Sequence, residues 1–369
     1  MANIFVNSFN ASLGGGKNIL DNYIYHLFQN KSSHNYFILT PDYEKYSSFS
    51  NENIKIIQIN KVYKNKLFFP FLYFYKFPQI LRNLNINLTI NFGDVIIPTE
   101  IPQIYFFDWA YAVYDSKLIW REMDLKNYLI RKTKVFLIKR YIKKVKLIFV
   151  QTENIKDRLN KKLNFHNVRV LPTPIGIDLS RKNINLFFDL PKKRILFLYP
   201  ASFSVHKNFN IILEVGKLID SQDLPFTIVL TLCENDADQF LFQTKNIKSI
   251  INVATVSKDN MPALYSQCDA LFFPSLLESY GLPLVEAMAF EKPILVSDLD
   301  FSHALCRQSA FYFDPLNPNS ILDVMISHNI NKEDLKKKIN SGKDIANLIP
   351  NWKRVLCIFE EEINFILKK

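Results

Sequence analysis

Glu278 and Glu286 stand in the run Pro274-Ser275-Leu276-Leu277-Glu278-Ser279-Tyr280-Gly281-Leu282-Pro283-Leu284-Val285-Glu286-Ala287-Met288-Ala289. Ionised carboxylates only accept hydrogen bonds, so they suit recognition of hydroxyls. The apolar stretch before them, Ala270–Pro274, reads as a strand running into a loop. Gly281-Leu282 then opens a helix, with Pro283 in its first turn, where a missing N–H costs nothing. This puts Glu278 in the loop and Glu286 about one turn into the helix. The loop and helix N–H groups can hold a diphosphate, Glu278 sugar hydroxyls and Glu286 a ribose diol. A capped helix with two merely exposed acids fits the same pattern.

A second constellation lies at the start of the chain. Ile4-Phe5-Val6 is a short apolar strand, Gly14-Gly15-Gly16 follows, and a helical pattern runs from Ile19 to Phe28. Strand, glycine loop and helix can aim N–H groups at an anion, and a plain flexible turn fits equally. The run is neither G-x-x-x-x-G-K-[ST] nor G-x-G-x-x-G. The six histidines, at 26, 34, 166, 206, 303 and 328, have no metal-ligand spacing. Cysteines 233, 268, 306 and 357 form no C-x-x-C and read as free thiols of a reducing compartment.

The elements that must position these residues alternate. Strands are expected at Tyr36–Leu39, Ile54–Ile59, Leu88–Ile90, Gln103–Phe107, Leu147–Val150 and Val168–Val170, with helical patterns between several of them. The pattern breaks at Thr173-Pro174-Ile175-Gly176-Ile177-Asp178 and passes through a polar Lys/Asn-rich stretch to Pro191. A second series starts there: strands Ile195–Tyr199, Phe226–Leu232, Ile250–Val253, Ala270–Pro274 and Ile294–Ser297, and helices Lys207–Leu218, Met261–Gln267 and Gly281–Phe290. Trp352–Leu367 is a final helix. The 369 residues exceed one ordinary core. The expected fold is α/β: two doubly wound Rossmann-like domains facing a cleft, spanning 1–178 and 190–348, with a helix at 349–369 returning to the first. Ligands of such folds sit at the carboxyl ends of the strands.

Charge is unevenly spread. Residues 1–176 hold 25 Lys/Arg against 12 Asp/Glu, and residues 117–162 alone hold 15 against 4. Between Arg131 and Lys146 the basic residues interleave with apolar ones, the pattern of a basic amphipathic helix suited to a membrane interface. A solvated helical face, an anionic membrane and a nucleic acid all fit the charge. The most apolar stretch, Leu67–Leu81, is too short to span a bilayer and is interrupted by Pro70, Lys76 and Pro78. The N-terminus lacks a signal-peptide pattern, so a cytoplasmic location is expected.

E-S-Y-G-L-P-L-V-E-A-M-A-F-E-K-P-I-L-V-S-D, at 278–298, resembles the E-x7-E signature of retaining GT-B glycosyltransferases of family 4, the glycosyl transferases group 1. Other stretches follow in the family's order. Gly14–Gly16 resembles its N-terminal glycine loop, V-Q-T-E-N-I-K-D-R-L at 150–159 its last N-domain strand and helix, and I-G-I-D at 175–178 its linker. Y-P-A-S-F-S-V-H-K-N-F at 199–209 resembles the first C-domain loop of members that assemble bacterial surface polysaccharides. S-D-L-D-F at 297–301 and F-Y-F-D-P at 311–315 resemble the stretch beyond.

The resemblance implies a nucleotide-sugar donor, UDP-, GDP- or dTDP-linked, and no cofactor or metal. Asp236-Ala237-Asp238 and Asp298-Leu299-Asp300, which match a metal motif of another glycosyltransferase fold, are then coincidental. It implies that Lys207 neutralises the donor diphosphate, Glu278 holds sugar hydroxyls and Glu286 holds the ribose. Ser279, Tyr280, Gly281 and Leu282 offer backbone contacts, and Gly15 and Gly16 belong to the donor site. Retaining members are thought to use front-face attack. Two positions depart from the pattern. Ser202 stands where many members carry arginine, with His206 placed to share the load. Asp108 stands where many carry histidine, and contact with sugar or acceptor and a structural role are both open.

The implied acceptor is a polyprenyl-diphosphate-linked saccharide in O-antigen- or capsule-type synthesis, on the inner face of the plasma membrane, with the 117–162 and 67–81 regions docking the anionic surface. A sugar-nucleotide epimerase or hydrolase of the same architecture is the alternative. A nucleic-acid-binding protein rests on charge alone, no recognised module supports it, and nucleic acid is not an expected partner.

Overall fold

The computed structural model describes residues 1–369 apart from 12–13, 31, 65–67, 94, 115–118, 121–122, 178–185, 329 and 369, and without the side chains of residues 14, 61 and 64. The chain divides into two compact units: Met1–Asp115, Asp124–Pro174 and Pro350–Lys369 in one, Ser116–Met123 and Ile175–Ile349 in the other.

The first unit is built on seven parallel strands: β1 (Asn3–Asn7), β2 (Asn35–Leu39), β3 (Ile54–Ile57), β4 (Leu88–Asn91), β5 (Gln103–Phe106), β6 (Leu147–Val150) and β7 (Val168–Val170), in the order β3-β2-β1-β4-β5-β6-β7. Period-2 alternation divides its core between the two faces. Ile4 and Val6 point to a cluster with Ile38, Ile90 and Phe106, while Phe5 points to one with Leu39, Leu72 and Phe77.

Helix α1 (Gly14–Gln29) follows β1. Gly14–Gly16 therefore form its first turn rather than a loop before it. The hydrophobic pattern starts only at Ile19 because glycine carries no periodic signal. Phe69–Asn83 is helical throughout, with a π turn at Leu72–Lys76 in which the Phe77 N–H donates to the Leu72 carbonyl, and it ends as α2 (Phe77–Asn83). Pro78, which has no N–H, sits just beyond that turn and accounts for the shifted register. α3 (Leu125–Tyr141) and α4 (Glu153–Leu163) precede β6 and β7, capped by Asp124 and Thr152.

The second unit holds β8 (Ile195–Tyr199), β9 (Phe226–Leu230), β10 (Ile250–Asn252), β11 (Ala270–Phe273), β12 (Ile294–Ser297) and β13 (Phe311–Phe313), all parallel, in the order β10-β9-β8-β11-β12-β13. Its helices are α5 (Phe209–Ser221), α6 (Glu234–Thr244), α7 (Met261–Gln267), α8 (Leu282–Ala289), α9 (Asp300–Cys306), α10 (Pro318–Ser327) and α11 (Lys332–Asn347). β13 escapes the sequence pattern because three aromatic residues are too short a run to carry a period.

The last helix, α12 (Trp352–Leu367), belongs to the first unit. Its Trp352, Val355, Leu356, Phe359 and Ile363 follow the i, i+3, i+4, i+7 rule and are buried in the core shared with α1. The two doubly wound, Rossmann-like sheets and the returning helix agree with the fold class expected from the sequence. Asp178 and the start of the polar stretch after it lie outside the described residues. No helix among the described residues is long and apolar enough to cross a membrane.

Candidate active site

The order of the second sheet reverses between β8 and β11, and the carboxyl ends of strands at such a switch point are where ligands of doubly wound folds sit. The loop after β8 carries Lys207 and the loop after β11 carries Glu278. Their side chains meet: the Lys207 ammonium donates to the Glu278 Oε1 at 2.5 Å, with only 15% and 11% of the two side chains exposed. The ammonium also lies 5.4 Å from the centre of the Phe273 ring, at the end of β11.

Backbone and buried hydroxyls hold the two loops in register. The Leu276 N–H donates to the His206 carbonyl at 2.7 Å, and the Tyr199 hydroxyl donates to the Lys207 carbonyl at 2.8 Å. The same Tyr199 hydroxyl lies 3.0 Å from the Ser275 hydroxyl. Asn208, at φ +58°, donates to the carbonyls of Pro274 and Pro315. Asparagine tolerates that left-handed backbone, and its two bonds brace the Lys207 turn against β11 and the segment after β13. Tyr199, Ser275 and Asn208 carry no signal of this role in the sequence, since their partners lie far away along the chain.

Gly281 is the N-cap of α8 at φ +88°, where a side chain is strained, and a Cβ there would come within 2.8 Å of the Leu284 Cδ1. No side chain caps this helix, so its first N–H groups have no side-chain acceptor at this positive end. Glu286 lies one turn inside, and the Tyr265 hydroxyl of α7 donates to its Oε2 at 2.9 Å. Burial pushes the Glu286 carboxyl up to about 7, against the smaller lowering effects of the Tyr265 bond and the Lys258 charge. Tyr280 is buried in the core of the unit.

Ser279 and Leu282 are half-buried beside Glu278 and the start of α8. The His206 ring bonds the Ser204 hydroxyl at 2.9 Å, and Ser202 is exposed. The second unit thus gathers Lys207, Glu278 and Ser279–Leu282 around one strand end, with Glu286 on the adjoining helix. Of the two D-x-D matches, Asp236 and Asp238 lie within α6, and Asp298 pairs with His303 at 2.6 Å.

The remaining expected site residues lie in the first unit. Asp108 follows β5 and Gly16 sits in the first turn of α1; the Asp108 Oδ2 is 3.7 Å from where a Gly16 Cβ would stand. A carboxylate at this helix start is stabilised by the dipole, which supplies a structural reason for an acid here. Gly15 is exposed in the same turn.

A doubly wound sheet with a cation, a carboxylate and a helix N-terminus at its switch point brings together the groups that an anionic ligand bearing hydroxyls would need. Comparison with known proteins names the family. Residues 181–344 match the model of glycosyl transferases group 1, and the second unit is a group 1 glycosyltransferase domain. The resemblance to glycosyl transferases group 1 read from 199–209 and 278–298 is borne out.

Among curated relatives, the O-antigen chain mannosyltransferase RfbU of Salmonella typhimurium is 26% identical over 181 residues, covering 49% of this chain and 50% of that one. The match thus spans about half the length of that relative. Among solved structures, a glycosyltransferase from Rickettsia africae superposes over 98% of each chain with a TM-score of 0.69 at 14% identity. HepE from Anabaena, solved in complex with UDP and glucose, covers 99% of this chain and 100% of its own with a TM-score of 0.68 at 12% identity. Both likenesses speak to the fold.

Proposed function

We propose that this chain is a retaining glycosyltransferase that moves a sugar from a nucleotide-sugar donor to a polyprenyl-diphosphate-linked saccharide, in surface-polysaccharide synthesis on the inner face of the plasma membrane. The observation that carries the proposal is the Lys207–Glu278 pair at the β8/β11 switch point, beside the uncapped start of α8. The O-antigen mannosyltransferase among the relatives and the UDP- and glucose-bound structure among the neighbours support it.

In this reading Lys207 and the N–H groups of Ser279–Leu282 face the donor diphosphate. Glu278 accepts from sugar hydroxyls and Glu286 from the ribose diol. As the bond between the anomeric carbon and the diphosphate oxygen breaks, negative charge grows on the diphosphate, where fixed cations and N–H groups are worth most. The acceptor hydroxyl attacks from the same face, its oxygen bonds the anomeric carbon, and its proton passes to the departing diphosphate. Lys207 and the helix N-terminus supply the positive charge in this scheme without a metal. Asp108, in the first unit, serves the acceptor side.

The test is turnover of the donor by folded variants. Lys207→Gln and Glu286→Gln are each expected to lower turnover by about 10²–10³-fold, with the circular dichroism of the parent. Near-parental turnover in both sinks the site assignment. Glutamine is chosen at 207 because alanine would leave the mostly buried Glu278 without a partner.

A further inference from the structure

We infer that the outward face of α3, with the aromatic turn at Phe71–Tyr75, is a docking surface for an anionic phospholipid bilayer. The inference rests on the membrane-side acceptor proposed above, and it assigns the side chains that meet the lipid.

α3 carries two apolar stripes on opposite sides. Ile138 is buried, and Leu137 packs on the core cluster of Phe5, Leu72 and Phe77. Leu125, Leu129 and Phe136 fall within about 40° of one another at 3.6 residues per turn, and they are 73%, 55% and 64% exposed. An ordinary surface helix turns its one apolar stripe inward. Here a second stripe faces outward, among the exposed basic residues Lys132, Lys139 and Arg140.

The basic residues on the inward side are engaged elsewhere. The Arg131 guanidinium lies 4.8 Å from the Tyr111 ring centre and the Lys134 ammonium 5.6 Å from that of Trp109. These cation–π contacts hold α3 against the loop that follows Asp108, which ties the docking surface to the acceptor side.

The aromatic turn adjoins the end of this helix. Phe71, Phe74 and Tyr75 are 47%, 46% and 63% exposed. The Phe74 ring lies 6.2 Å from Tyr141, and the Arg140 guanidinium lies 5.6 Å from the same Tyr141 ring. Aromatic rings and long basic side chains together suit the headgroup layer. A nucleic acid would use the cations, but it offers nothing to the aliphatic Leu125 and Leu129. A bilayer takes both: headgroup charge for the basic residues and acyl boundary for the stripe.

The test is co-sedimentation of the full chain with vesicles of phosphatidylcholine, alone and mixed with phosphatidylglycerol. The parent is expected to bind the mixed vesicles, more weakly at high salt, and to bind phosphatidylcholine poorly. Lys132→Gln/Lys139→Gln/Arg140→Gln is expected to lower binding on the order of 100-fold. Leu125→Ser/Leu129→Ser/Phe136→Ser and Phe74→Ser/Tyr75→Ser are each expected to lose at least about tenfold. Phe242→Ser, which removes an exposed ring on α6 of the other unit, is expected to change nothing.

All substituted residues are exposed, and circular dichroism verifies the fold of each variant. Equal binding by parent and stripe variants overturns this surface while leaving membrane association standing. Absence of parental binding overturns both, and donor turnover reports separately on the transferase reading. Two further results overturn the inference: a random DNA duplex bound as tightly as the vesicles, and a dimer that only the stripe variant dissolves.

Discussion

The Glu286 carboxyl is buried, with the Tyr265 hydroxyl donating to it, and burial raises its pKa from the ordinary 4.5 to about 7. The sign follows from which state holds the proton. Between these two values the native state binds the proton and the unfolded state does not, so stability falls as pH rises through this window. Donor binding runs the other way, because two diol hydroxyls need an ionised acceptor. Affinity for the nucleotide sugar is therefore expected to rise as pH climbs toward and through about 7, by at most about tenfold per unit. Glu286→Gln should flatten both profiles. Calorimetric titration across pH checks the affinity and thermal melts check the stability; an affinity that falls with pH contradicts the role given to Glu286. The spacing of Glu278 and Glu286 was legible in the sequence, because both sit on one loop–helix unit. The Lys207–Glu278 contact was not, because it depends on β8 and β11 being neighbours.

At the level of elements, α8 begins where only glycine fits comfortably. Gly281→Ala forces a Cβ against Leu284 at a backbone of φ +88°, and is expected to cost about 1–3 kcal/mol of stability, read as a lower denaturant midpoint. An unchanged midpoint would mean the turn is not held as described. α12 offers a second case. The Phe359 ring lies within 5.6 Å of Tyr23, 5.9 Å of Phe92 and 4.9 Å of Phe149. Phe359→Ala should destabilise the first unit by about 3–5 kcal/mol, which chemical denaturation measures. Helices with one strong stripe, such as α12, were legible to the residue. α3 was not, because its sequence mixes an inward stripe, an outward stripe and cations on both sides. The interleaving that suggested a single amphipathic face resolves into two faces. The start of α1 was hidden for a simpler reason, since three glycines carry no pattern.

At the level of the whole chain, alternating strands and helices announced two doubly wound halves, and the pattern break at 173–178 fell beside the change from one unit to the other at Pro174–Ile175. The sequence did not show which strands lie at the switch points, because strand order comes from the crossovers between distant segments. That order gives the strand ends their meaning: β8 and β11 in one unit, β1 and β4 in the other. The central claim is that the second unit holds a nucleotide sugar through Lys207, Glu278 and Glu286. Thermal melts with UDP-, GDP- and dTDP-sugars test it most directly, because a ligand that binds only the folded state raises stability by about 2.7 kcal/mol at a hundredfold excess over Kd. The account predicts that at least one of these donors raises the melting temperature of the parent, and that Lys207→Gln and Glu286→Gln lose most of the rise. No shift with any nucleotide sugar, or equal shifts in parent and variants, would contradict it.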